Sequence, residues 1–124
     1  MPKTIKITAG QAQFEAELND SPTAQAVYNA LPINANGSRW GGEIYFSIPV
    51  QAELEADSRD VLKAGELGYW PTGSAFCIFF GPTPASEANE IRAASAVNII
   101  GKVRGDLSQL WDVSDRADIL IEVD

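Results

Sequence analysis

The sequence predicts a mainly β protein: a closed barrel or a sandwich of about eight short strands, with one or two short helices. Three observations predict it. Apolar residues alternate with polar ones in short run after short run. Proline, glycine and asparagine punctuate these runs at close spacing. Only one segment carries both a helical apolar face and helix-terminating signals. The 124 residues suit a single domain over residues 1–124, and a chain this long buries a self-standing core.

Each element follows in chain order. "KTIKIT" places Ile5 and Ile7 on one face, and "FEAEL" places Phe14, Ala16 and Leu18 inward, so the two read as a hairpin. "NDSPTAQAVYNALP" is the clearest helix: Ser21 caps it, Pro22 suits its first position and Pro32 ends it. Ala24, Val27, Tyr28 and Leu31 share its apolar face. Trp40 follows "NANGSR" and precedes two glycines. "EIYFSIPV" alternates throughout, with Ile44, Phe46, Ile48 and Val50 on one face and Glu43, Tyr45 and Ser47 on the other. "QAELEADSRDVLKAG" is an acidic excursion with a short strand, "ELGYW" a strand, "PTG" a tight turn and "SAFCIFFG" a nearly continuous apolar strand. "PTPASEANEIRAAS" is a long loop with a helical turn at residues 86–92. "AVNIIGKVRG" is a strand in which Gly101 marks a bulge or a close backbone approach. "DLSQLWDV" is a short helix capped by Asp106, and "ADILIEVD" closes the chain with Ile119, Ile121 and Val123 inward.

Composition removes whole classes of chemistry. There is no histidine, so Ser-His-Asp and Cys-His catalysis and histidine-based metal sites are excluded. The single cysteine, Cys77, forms neither an internal disulfide nor a cysteine-rich zinc site. Neither a metal nor a cofactor is expected. A net charge of −8, with scattered basic residues, argues against nucleic acid and anionic membrane as partners. "MPKTIKIT" carries no apolar leader and no run approaches membrane-spanning length, so the expected location is cytoplasmic.

"WGGEIYF", "GYWPTGSAFCIFFGPTP" and "ASAVNIIGKV" closely resemble a family of small prokaryotic proteins with a cyclophilin-like barrel. The resemblance covers nearly the whole chain and implies a cyclophilin-like closed barrel. It extends to true cyclophilins: "GELGYWPTGSAFCIFF" is similar to their glycine-led strand pair, and "VNIIGKVRGDLSQLWDV" to a strand and the short helix after it. In cyclophilins these segments carry the prolyl isomerase groove. The resemblance puts Ala75 where the groove glutamine stands, Cys77 where a phenylalanine stands and Val97 where a histidine stands. The tryptophan position falls near Arg92, and the strand that carries the essential arginine has none, Arg39 lying just before it. The implied scaffold therefore lacks most of the isomerase machinery. Barrels of this broader type also resemble domains of bacterial systems that hydrolyse amides such as allophanate or oxoproline.

The candidate site lies around Gly65–Pro84, which holds three prolines, four glycines and five aromatics around Cys77. Trp40, Tyr45 and Trp70, on turns and strand ends, read as walls of a shared pocket. Phe76 and Phe79 belong either to that groove or to the core. Glu43, beside Tyr45, is either a solvated strand carboxylate or an anchor for a cationic ligand, with Arg39 or Arg92 as alternative ion-pair partners. Arg39, Arg92 and Asn98 are the further polar contacts expected at the groove, while Cys77 reads as a buried, inert thiol. The partner expected for such a groove is a small molecule or an extended peptide. The alternatives are weak prolyl isomerisation and an accessory role in amide hydrolysis. A homodimer through an exposed strand or apolar rim stays open.

Overall fold

Strands β1 (Lys3–Ala9) and β2 (Ala12–Leu18) form the expected hairpin, in register from Lys3–Leu18 to Ala9–Ala12, in a computed structural model that describes residues 3–124. Ile5, Ile7, Phe14, Ala16 and Leu18 are all buried on one side of it. Helix α1 (Pro22–Asn29) begins as its sequence dictates: the Ser21 hydroxyl accepts the Ala24 amide proton at 3.2 Å, and Pro22 occupies the first turn. Thr23, Ala24 and Val27 face inward.

The chain then makes β3 (Ile33–Arg39), β4 (Glu43–Ser47), β5 (Arg59–Leu62), β6 (Glu66–Trp70), β7 (Ala75–Phe79), β8 (Ile91–Val103) and β9 (Ala117–Val123). Every pairing is antiparallel. The order β2-β1-β9-β3-β4-β7-β6-β8 closes on itself where β8 pairs with β2, giving a ring of eight strands. Its interior holds the main core, including Ile44, Phe46, Leu67, Tyr69, Phe76, Ile78, Ile100 and Ile121. Ring closure leaves the sheet without two free edges.

β8 is longer than a ring needs. Residues 98–103 pair with β6 and β2, whereas Ile91, Arg92 and Val97 pair with β5. The first half of β8 and β5 thus form a two-stranded flap. The flap lays Leu62, Ile91, Ala93 and Val97 over Ala75, Cys77 and Phe79, on the outer face of the ring. That second core explains why all five residues of β7 are buried, and why its sequence reads as a continuous apolar run.

Four details differ from the sequence reading. Residues 33–39, which the sequence reading assigns to no element, form β3, because Ile33–Gly37 pair with β9 although Asn34, Asn36 and Gly37 are poor strand formers. No helical turn forms at 86–92; the Ser86 hydroxyl instead accepts from the Thr83 and Arg92 amides, and β8 starts at Ile91. Asp106 stands one residue before the capping position of a 3-10 turn (Ser108–Asp112) and binds the Ser108 amide and hydroxyl. Val123, the last residue of β9, is 53% exposed rather than inward, although it still pairs with Ile5.

Gly101 makes both features expected of it. The β6–β8 register slips there, Leu67 facing Gly101 and Gly68 facing Ile99. A Cβ at Gly101 would stand 1.9 Å from the backbone oxygen of Glu17, on the seam that closes the ring. Because that neighbour is backbone, relief requires opening the β2–β8 pairing. Gly101→Ala is expected to lose about 3 kcal/mol or more of stability, read as a lowered urea midpoint. An unchanged midpoint would show that the seam yields freely.

Candidate functional site

The outer face of β4 carries Glu43 and Tyr45, by the alternation that sends Ile44 and Phe46 inward. Trp40 arrives just before them through a turn closed by the Trp40 amide donating to the Glu43 carbonyl at 2.9 Å. Gly42 lets that turn lie on the exit of β7: a Cβ there would come 2.2 Å from the Gly81 backbone, and the Phe80 and Gly81 amides donate to the Gly42 carbonyl. Trp70 ends β6, its indole N–H donating to the Ser95 hydroxyl at 2.6 Å. Ser95 therefore orients a wall residue of the flap side.

Together Trp40, Glu43, Tyr45 and Trp70 line one recess of about 100 Å³, completed by Ala93, Ala94 and Val97 of the flap. The three rings around a shared hollow are thus in one place. The recess lies over the outer face to which Ala75 and Cys77 belong.

Glu43 is the anomaly of this surface. It is only 5% exposed. Burial pushes its carboxyl up to about 7, opposed only by the neighbouring Cys77 thiol, whose hydrogen bond to the Ala75 carbonyl spans 3.9 Å. No lysine or arginine reaches it among the described residues. Cys77, wholly buried, has its thiol pushed well above the ordinary range, first by burial and then by the neighbouring carboxylate. It is a neutral hydrogen-bond donor rather than a nucleophile.

The remaining candidates lie elsewhere. Arg39 points to the segment after β8: its guanidinium donates to Val113 O at 2.7 Å and to Gly41 O at 3.0 Å, and sits over the rings of Phe80 and Trp111. It staples the β3–β4 turn to that segment. Phe76 stacks on Phe46 inside the ring, with centroids 5.2 Å apart, so it is a core residue. Phe79 is buried beneath the flap and does not line the recess. Arg92 turns away from the recess to pair with Glu90 and Asp60. Asn98 is fully buried in the ring, donating to Thr23 Oγ1 and Glu53 O and accepting from the Glu55 amide. It holds the 50–58 excursion and α1 to the ring, helped by Glu55, whose carboxylate takes the Thr23 amide and hydroxyl. These positions answer to partners distant in sequence. Ala93, Ala94 and Val97 are the recess residues that sequence reasoning missed, since nothing local in "IRAASAV" signals a fold-back.

Two expectations follow. Folding takes up a proton at Glu43, because its folded-state value of about 7 exceeds the ordinary 4.5. The stability penalty is therefore absent below about pH 4.5, grows as pH rises, and levels off above about pH 7 near 3 kcal/mol. Glu43→Gln should raise the melting temperature by roughly 10 °C at about pH 8 and leave it little changed at about pH 4.5. Equal effects at both pH values would show that ionisation is not the cause. Arg39→Met should lose about 1–3 kcal/mol in chemical denaturation, from the lost charge-assisted hydrogen bonds to the Gly41, Trp111 and Val113 carbonyls, while the Trp40 and Trp70 indole resonances keep their positions.

The comparisons with known proteins agree with this architecture. A family model described as cyclophilin-like matches residues 3–122. The solution structure of a hypothetical protein from Archaeoglobus fulgidus is similar over 99% of this chain and 95% of its own, at 40% identity and a TM-score of 0.85. No curated protein matches. With the family model spanning almost the whole closed ring, the chain belongs to the cyclophilin-like family.

Proposed function

We propose that this chain is a binding module that holds a small molecule, or one side chain of an extended peptide, in the outer recess, and that it does not isomerise prolyl bonds. The observation that carries the reading is Glu43: a buried carboxyl without a cationic partner, on the floor of a hollow walled by Trp40, Tyr45 and Trp70. Such a group lowers stability when ionised, and buried groups with perturbed titration cluster at functional sites. The recess is smaller than the roughly 300–1,000 Å³ of pockets that engulf whole drug-sized ligands, so it fits a head group or a side chain.

The case against isomerisation is chemical. Crossing the amide barrier needs a polar donor at the prolyl nitrogen inside an apolar pocket. Arg39 spends its donors on backbone carbonyls, and Arg92 is engaged by Glu90 and Asp60 on the far side of the flap strand. What the recess presents instead is a carboxyl, which donates only when protonated.

Two measurements test the reading. In a protease-coupled assay on proline peptides the rate should stay at background; acceleration that disappears in Arg39→Met or Arg92→Ala would replace binding with isomerisation. In a screen of metabolites and peptides by ¹⁵N–¹H NMR, a ligand should move the Trp40 and Trp70 indole signals and spare Trp111, which packs on Phe80 and Gly81 instead. A screen in which no compound moves either indole would count against the site.

A further inference from the structure

We infer that the recess selects an organic cation, an alkylammonium head group, with the Glu43 carboxylate as its counter-ion and the rings of Trp40, Tyr45 and Trp70 as its walls. The inference rests on the binding reading above and names the chemistry of the ligand.

Four observations carry it. Three aromatic side chains line one small hollow, and aromatic rings attract a cation through their quadrupoles, most strongly where water is thinned out. Glu43 lies at the same hollow and is more than nine-tenths buried, and no cationic side chain among the described residues pairs with it. The groups around it leave that charge uncompensated: the Cys77 thiol from β7 and the Tyr45 phenol on its own strand are neutral, Trp40 and Trp70 are neutral, and the flap contributes Ala93, Ala94 and Val97. Finally, a net charge of −8 draws cations towards the molecule and repels anions.

Competing ligand classes fit less well. An anion would meet Glu43 directly. A neutral apolar group would keep the carboxylate buried and unpaired, which is unfavourable. A metal ion needs several hard donors, and no cluster of three or more acidic or thiol groups exists among the described residues. A compact, weakly hydrated cation satisfies the carboxylate and the rings at once.

Binding is then linked to protonation. The cation binds the ionised form of Glu43, so binding expels a proton below about pH 7 and is proton-neutral well above it. For a quaternary ammonium, whose own charge does not titrate, the pH profile reports Glu43 alone.

The test uses the full chain, ¹⁵N–¹H NMR titrations, and two probes of equal shape: choline and its neutral analogue 3,3-dimethyl-1-butanol. At about pH 8.5 choline should shift the Trp40 and Trp70 indole signals saturably, with the neutral analogue about tenfold weaker or more. At about pH 5.5 choline affinity should fall by roughly 30-fold, following the ionised fraction of Glu43. Glu43→Gln, which keeps the fold by the stability argument above, should abolish both the preference and the pH dependence. A trimethyllysine peptide distinguishes the sources: tighter binding than choline identifies a protein side chain as ligand, and equal or weaker binding identifies a free amine. Equal affinity for choline and the alcohol overturns the cation inference while leaving the binding module standing. No response to choline or to the peptide also overturns it, and the binding reading then stands or falls on the wider screen.

Discussion

β7 has no face left for water. Its inward residues, Phe76 and Ile78, close the ring, and its outward ones, Ala75, Cys77 and Phe79, lie under the flap made by β5 and the first half of β8. A strand of a closed antiparallel ring ordinarily shows one face to solvent. Here the second apolar layer changes the dielectric surroundings of every polar group at its margin. Glu43 pairs across from Phe79 and stands at that margin. Its raised pKa, its neutral thiol partner and the small size of the recess all follow from the flap lying down on the sheet.

The same layer explains which parts of the molecule were legible in its sequence. Elements governed by neighbours could be read directly: the β1–β2 hairpin from its alternation, α1 from Ser21 and Pro22, and β4 from Ile44 and Phe46, although the strand stops at Ser47 and the buried Ile48 and Val50 lie beyond it. The grouping of Trp40, Tyr45 and Trp70 also came through, because turn and strand-end aromatics were placed on segments that do pair. Elements governed by distant partners were hidden. β3 is a strand because β9 supplies its pairing, against the preferences of Asn34, Asn36 and Gly37. The start of β8 folds back over a surface some fifteen residues earlier in the chain, and no local pattern encodes that.

Glu43, Arg39 and Asn98 teach the sharper lesson. Alternation places Glu43 opposite the core face and says nothing of what covers that other face. Arg39 and Asn98 look like ligand contacts because both are polar and near the aromatic segments. Their donors are in fact consumed by backbone carbonyls of the 110–116 segment, the β3–β4 turn and the 50–58 excursion. A buried polar side chain that ties two loops is indistinguishable, in sequence, from one that waits for a ligand. What separates them is whether the hydrogen-bonding capacity is already filled. Asn98 has used its two amide protons and its oxygen on Thr23, Glu53 and Glu55, whereas the Glu43 carboxyl faces the neutral Cys77 thiol and no cation among the described residues.

The choice of a thiol as the neighbour of Glu43 limits what the site can do. A lysine or arginine facing Glu43 would hold the carboxylate ionised and silence it. A fully apolar neighbour would leave it protonated through most of the neutral range. Cys77, kept protonated by its own burial, donates to the Ala75 carbonyl and stands beside Glu43 without bringing a charge. Glu43 is thereby poised near neutrality, with its charge available but unsatisfied. The destabilisation held there, about 3 kcal/mol when ionised, bounds what relief of that desolvation alone can return on binding. A bound that size corresponds to roughly a hundredfold in affinity, with ring contacts adding to it. A recess of about 100 Å³ with that much driving force suits a weak, reversible grip on a head group rather than tight sequestration of a whole molecule.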